Sequence, residues 1–488
     1  MTSLVLRGGR VIDPGTGRDE VADVLVDAGS IAAIGPDLEG DTTLDVTGLL
    51  VGPGFVDLHS HVHSIAGQRL QALDGVTTAL DLEAGLLPVA KAYADAAAAG
   101  RPLHYGFSAS WGGARAKVLM GVDENADLST ALHALSDERW QRTSSAAELD
   151  QWLGLLRSEI ADGGLGIGVL MGYAPRTDPR EFLAVARLAA EARVPTYTHV
   201  REIVESDPTT PVDGTTELTI AAAETGAQMH HCHVNSTSRR HVDRVLNTIA
   251  RSRAEGSPVS VEAYPYGAGS TAIGAFFLAP ERLAAWGLTP TSLVMVGTGE
   301  RIADEKRLRE LRTTHAGEPC IVEFLDESVA ADRSLLEHAL AFPDAMVASD
   351  AMPVLFPDGT LDSRRWPLPP GGSTHPRTAG TYAKSLRLMV RETGTWTWLE
   401  AFRRCSYLPA RVLDFTPAAH GKGHLGVGAD ADVVVLDPQR ITDTATYSDP
   451  TRPSSGVRHL LVSGTAVVKD GEIVQDAYPG RPLRAQPA

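Results

Sequence analysis

The chain has 488 residues, 43% of them hydrophobic and 22% charged, which is the composition of a folded globular protein rather than a disordered one. Its formal net charge of −17 repels phosphate backbones and anionic lipid surfaces, and no apolar run is long enough to span a bilayer, so neither nucleic-acid nor membrane partners are expected. The opening MTSLVLRGGR lacks the apolar core of a secretory signal, and Cys232, Cys320 and Cys405 are odd in number and widely spaced, so a cytoplasmic protein with free thiols is expected.

The first fifty residues read as short strands broken by turns: Leu4 to Leu6, the turn Asp13-Pro14-Gly15-Thr16-Gly17, Val21 to Val26, and Ile31 to Ile34. From about 52 to 420, apolar strand-like runs alternate with alanine-rich amphipathic segments. Strands are expected near 54–58, 76–81, 103–107, 166–171, 195–198, 228–232, 258–263 and 345–349, with helices such as 88–99 and 180–192 between them. Eight strands in a βα rhythm predict an α/β fold, a (β/α)8 barrel. The stretch between its last two strands exceeds an ordinary connection and is read as an insertion or lid subdomain over 267–344, between barrel strands 7 and 8. Strand grammar returns at Ala431 to Leu436, His459 to Val462 and Thr465 to Val468, the last followed by the turn Lys469-Asp470-Gly471-Glu472. Each terminal piece is too small to be stable alone, so residues 1–51 and 421–488 are expected to pair into one small β-sandwich. Residues 52–420 form the catalytic barrel in this reading.

The segment Gly54-Phe55-Val56-Asp57-Leu58-His59-Ser60-His61 ends an apolar run with two histidines two residues apart. Side chains so spaced on a strand share a face and can bind one metal ion, although a packed or solvated pair would look the same. Barrels of this type collect reactive groups at the carboxyl ends of their strands, which supplies a test. His59 and His61 end strand one, Glu83 ends strand two, His199 strand five, His233 strand six and Asp350 strand eight. His231 shares a face with His233 on an ideal strand and is the alternative ligand, while His230 and Cys232 are expected to face away.

In these features the sequence resembles the amidohydrolase superfamily, and within it the N-acyl-D-amino-acid deacylase (D-aminoacylase) branch. The matching runs are Gly54-Phe55-Val56-Asp57, Gly75-Val76-Thr77-Thr78, Thr198-His199-Val200-Arg201-Glu202, Tyr264-Pro265-Tyr266, Ser349-Asp350 and His375-Pro376-Arg377, with a closing Gly426 to Asp437 stretch. The resemblance implies a metal-dependent hydrolase of a linear amide C–N bond, in an N-acyl amino acid or a small peptide-like substrate. Two residues depart from the branch. Glu83 stands where it usually carries a cysteine, and Asn235 where it usually carries a lysine. A carboxylate bridges two ions readily, so two Zn2+ ions are expected, with manganese, iron or cobalt as alternatives.

Water is a poor nucleophile and an amine a poor leaving group, so amide hydrolysis needs an ion that acidifies water and polarises the carbonyl, and a carboxylate that moves the proton. His59, His61 and Glu83 are assigned to one ion, and Glu83, His199 and His233 to the other, with Asp350 as the proton carrier. His63 is read as a pocket wall. The family match makes Tyr173 a substrate contact, with Asn235, Tyr266 and His375 beside it, and Arg377 an anion-recognising fork. The bland alternatives are a core aromatic for the tyrosines and a surface ion pair for Arg377. Competing functions are ring opening of a cyclic amide or imide, tailoring of a peptide natural product, and a non-catalytic binding protein. The partner is a small amide; a homo-oligomer is neither required nor excluded.

Overall fold

Residues Leu4–Asp13 and Arg18–Asp27 form an antiparallel hairpin, β1 and β2, because alternating Val, Leu and Ile side chains meet across it. The intervening turn is tied by Asp13, which accepts from the Gly15 amide and the Thr16 hydroxyl, and Gly17 supplies the left-handed residue with φ +73°. The computed structural model describes residues 3–123, 134, 137–356, 359 and 364–486.

Strands β3 (Ser30–Gly35), β4 (Thr42–Asp45) and β5 (Leu50–Pro53) follow, then seven barrel strands. These are β6 (Phe55–Asp57), β7 (Val76–Leu86), β8 (His104–Ser110), β9 (Ile167–Leu170), β10 (Thr196–His199), β11 (Met229–His231) and β12 (Val259–Ala263). An insertion carries β13 (Ala268–Ala272), β14 (Leu293–Met295) and β15 (Pro319–Glu323), after which β16 (Ala345–Val347) is the eighth barrel strand. The chain closes with β17 (Val433–Leu436), β18 (Val457–Val462), β19 (Thr465–Lys469) and β20 (Glu472–Ile473).

The two ends of the chain join as the sequence predicted. Their sheet has the order β20-β19-β18-β17-β5-β1-β2-β3 with β4 beside β1, and the seam is the antiparallel pair β5–β17, Leu50 opposite Leu436. Leu6, Val11, Val24, Val46, Val433 and Leu461 share one buried cluster from both termini, the apolar face that neither end could cover alone. The barrel sheet runs β6-β7-β8-β9-β10-β11-β12-β16. Past the ends of β6 and β16, a parallel bridge between Ser60 and Ala351, with the His61 amide donating to the Ala351 carbonyl at 2.8 Å, brings the first and last strands together. Each predicted run overlaps an observed strand; parallel strands covered on both faces favour apolar runs, as in β6, β9 and β16, while β10 and β11 bury polar side chains instead.

Contacts divide the chain into two compact units: Met1–Asp81 with Tyr93–Gly106 and Met346–Arg484, and Leu82–Ala92 with Phe107–Ala345 and Ala485–Ala488. In the second unit the insertion forms its own antiparallel sheet, β13-β15-β14, around Ile273, Leu278, Leu293, Ile302, Leu308 and Val322. The helix Ala330–Ala341 then leads into β16. Among the described residues no helix is long and apolar enough to cross a membrane.

Candidate metal centre

In the first unit the construction begins at Asp57, the last residue of β6. Its buried carboxylate accepts from the Ser349 hydroxyl, from the Ser349 amide at 3.0 Å, from Gln71 at 3.0 Å and from the His59 amide at 3.2 Å. Burial pushes this carboxyl up to about 6 against those hydrogen bonds. One side chain thereby fixes both the His59 backbone and the Ser349-Asp350 turn, where Asp350 adopts a left-handed φ of 49°.

His59 and His61 then face each other: their Nε2 atoms are 3.2 Å apart, and Asp350 Oδ1 lies 3.4 Å from the first and 3.6 Å from the second. Arg377, read from the sequence as a substrate fork, is fully buried with its guanidinium 2.9 Å from Asp350 Oδ1. The Arg377 amide donates to His375 Nδ1 at 3.1 Å, and the His375 ring lies 5.4 Å from that of Tyr447. Behind His61 stands a residue to which sequence reasoning gave no role. Asp81 takes His61 Nδ1 at 3.2 Å on one oxygen and His63 Nε2 at 2.9 Å on the other. Burial raises the Asp81 carboxyl, but the two histidines more than offset this and hold it well below the usual carboxylate range. With the Nδ1 proton donated to Asp81, the His61 Nε2 lone pair points towards His59. His63, half-exposed, is therefore a partner of Asp81.

In the second unit Glu83, on β7, places Oε1 3.1 Å from His199 Nδ1 and 2.8 Å from His233 Nε2, and the two imidazoles stand edge to face at 4.7 Å. Ligand atoms of these three residues all lie within 4.8 Å of one another. Gly172 allows the approach, since a Cβ there would stand 2.4 Å from His199 Cδ2. Tyr173 packs 4.9 Å from the His199 ring and shares a hydrogen bond with Thr271 Oγ1 at 2.8 Å. Phe277 of the insertion completes this wall, 5.2 Å from Tyr173 and 6.1 Å from His199.

The strand-six histidines depart from the pattern read in the sequence. Strand β11 ends at His231, and His233 sits beyond it at φ 32°, so counting by twos along a pleat fails there. His231 turns to Thr215 Oγ1 at 3.1 Å, away from Glu83, and burial pushes its imidazole down to about 3. His230, expected to face away, instead lies 2.9 Å from Glu262 Oε2, and Glu262 Oε1 accepts the His233 amide at 3.3 Å. Glu262, also unassigned from the sequence, thus anchors the turn that presents His233. Asn235 spends its side chain on the backbone that leads from β12 into the insertion, donating to the Tyr266 carbonyl at 3.3 Å and accepting from the Tyr264 amide at 3.2 Å. Tyr266 is buried in the insertion core.

These residues fit divalent transition ions: in the second unit two imidazole nitrogens and the Glu83 carboxylate converge, and in the first His59 Nε2 and His61 Nε2 stand 3.2 Å apart with one proton between them at most, a donor chemistry that suits zinc.

The chain is similar to known proteins along its length. A model of the amidohydrolase family matches residues 42–474. Over 518 residues the chain is 29% identical to the N-acyl-D-glutamate deacylase of Alcaligenes xylosoxydans xylosoxydans, covering 99% of this chain and 96% of that one. It is 28% identical over 491 residues to the D-aminoacylase of the same organism, with 95% and 94% covered. The fold resembles the crystal structure of N-acyl-D-glutamate deacylase from Bordetella bronchiseptica, complexed with zinc and a phosphonate mimic of the tetrahedral intermediate, at a TM-score of 0.76 and 24% identity over 99% of both chains.

Proposed function

This chain belongs to the amidohydrolase family, and from that premise we propose that it is a metal-dependent hydrolase of the linear amide bond in N-acyl amino acids, D-configured ones above all. The observation that carries the reading is the meeting of His59 Nε2, His61 Nε2 and Asp350 Oδ1 within 3.6 Å in the first unit; the second unit gathers Glu83, His199 and His233. The substrate class rests on the two deacylases that match over nearly their whole length.

We assign His59, His61 and Glu83 to one ion and Glu83, His199 and His233 to a second, zinc in both. When bound, such an ion acidifies a water in its shell and polarises the scissile carbonyl. The chain's own groups do the rest. Asp81 sets the His61 tautomer, and Glu262 and Gly172 set the positions of His233 and His199. Asp350 accepts a proton from the attacking water and delivers it to the leaving nitrogen, aimed by the Arg377 guanidinium. Tyr173 and Phe277 wall the site and exclude bulk water. Residues 52–420 act as the catalytic barrel, with 1–51 plus 421–488 and the 267–344 insertion as accessory pieces.

The test is an assay of zinc-loaded protein against N-acetyl D- and L-amino acids beside a dihydroorotate-like ring. Turnover of the linear D-substrates is the expected result; ring opening without linear hydrolysis would overturn the assignment.

A further inference from the structure

A cavity of about 450 Å3 opens in the second unit, lined by Arg176, Ser206, Asp207, Phe276, Arg282 and Arg312 among others. Its walls come from the segment around Asp137 and Gln141 ahead of β9, from the loops after β9 and β10, the strands that deliver Tyr173 and His199, and from the insertion. Phe276 faces it, while the next residue, Phe277, packs on Tyr173 and His199. The cavity therefore adjoins the wall of the metal-ligand set without sharing its ligands.

Its charges are unevenly committed. Asp207 binds Arg282 at 2.7 Å and Thr209, Asp137 binds Arg139 at 2.7 Å, and Glu281 has Arg309 at 3.5 Å. Each lining carboxylate already has a cation. Arg176 and Arg312 have no ion pair among the described residues; Arg312 spends one amino group on the carbonyls of Ile273 and Ala275, at 2.8 and 2.7 Å. Arg176 and Arg282 both lie over the Phe276 ring, at 4.9 and 4.0 Å, which holds their planar forks in place without neutralising them.

We propose that this cavity is a carboxylate subsite, taking the distal acid group of an extended amide substrate such as an N-acyl amino acid with a second carboxylate. Planar guanidinium groups pair with a carboxylate in two parallel hydrogen bonds, and the aromatic floor accepts the methylenes that precede it. The word substrate rests on the hydrolase reading; the binding of a carboxylate here does not.

The experiment is titration calorimetry of the zinc-loaded protein with glutarate, in parallel with inorganic phosphate, for wild type, Arg176→Gln and Arg312→Gln. Saturable, salt-sensitive glutarate binding is expected, weakened about tenfold by either substitution, as loss of one charged hydrogen-bonding partner requires. Because Arg176 is exposed, its variant stays folded even where Arg312→Gln does not. In kinetics, Arg176→Gln raises KM about tenfold for an N-succinyl amino acid and leaves the N-butanoyl analogue unchanged. Glutarate affinity equal in wild type and Arg176→Gln overturns the subsite, as does phosphate binding more tightly than glutarate with the same losses. Glutarate binding that Arg176→Gln weakens, in a protein that cleaves neither amide, supports the subsite and overturns the hydrolase reading instead.

Discussion

Replacing Asp81 with Asn separates the orientation of a ligand from the ligand itself. Asp81 touches neither Nε2 atom of the histidine pair; it holds His61 by Nδ1 at 3.2 Å and His63 at 2.9 Å from one buried carboxylate. Asn keeps the volume and removes the charge, and its amide group presents a donor to one of the two imidazoles. The Nδ1 proton of His61 is then no longer favoured, and the tautomer that leaves Nε2 free to ligate loses its advantage. Loss of such a carboxylate behind a ligating histidine weakens metal binding about 10- to 100-fold, or about 1.4 to 2.8 kcal/mol. Chelator competition at pH 7.5, read by metal-sensitive dye, measures this directly. His63→Gln is the internal control: it leaves the His61–Asp81 pair in place and lowers affinity less. Asp81→Asn protein that holds its metal within about twofold of wild type would refute the reasoning.

Asp350→Asn keeps the ligands and Arg377 but removes the proton carrier, so turnover falls about 100- to 10,000-fold while metal content by mass spectrometry stays at the wild-type level. Gly172→Ala drives a methyl to 2.4 Å from His199 Cδ2, and the displaced ring costs about 1 to 3 kcal/mol of stability together with most of the activity, read by melting curves and kinetics. Asp432 is buried between His104 at 3.0 Å and Lys422 at 2.6 Å; burial raises its carboxyl, but these two partners more than offset that and hold it well below the usual range. Its folded pKa is therefore below the unfolded one. The stability it contributes is present above about pH 4 and is lost as pH falls below that, so Asp432→Asn lowers Tm near neutrality and flattens its acid decline in calorimetry.

The sequence carried the strands because short apolar runs mark β6, β9 and β16, while β10 (Thr-Tyr-Thr-His) and β11 (Met-His-His) are buried but polar, and Gly54-Phe55-Val56-Asp57 runs into the histidine pair with no turn residue between them. The sequence expected His59, His61, Glu83, His199 and Asp350 at strand ends; the structure sets His199 at the end of β10 and His59, His61 and Asp350 just past β6 and β16, whereas Glu83 stands inside β7, which runs on to Leu86. Residues that act through a neighbour were not legible. Asp81 sits two positions before Glu83 in a run that reads simply as strand, and only the fold shows His61 and His63 converging on it. Glu262 is equally silent, since its partners His230 and His233 lie on another strand and its exit. The one pattern error, at His231 and His233, comes from a left-handed residue that no side-chain alternation announces. Arg377 looked like a fork for a ligand because its charge was visible and its partner Asp350 was not.

Metal stoichiometry of purified protein, measured by inductively coupled plasma mass spectrometry for wild type, His59→Ala and His199→Ala beside turnover of an N-acetyl-D-amino acid, tests the centre most directly. About two zinc ions per chain in wild type, about one in each variant, and loss of turnover with them are predicted. Wild-type protein that hydrolyses the amide with no bound metal, or variants that keep the full complement, would contradict it.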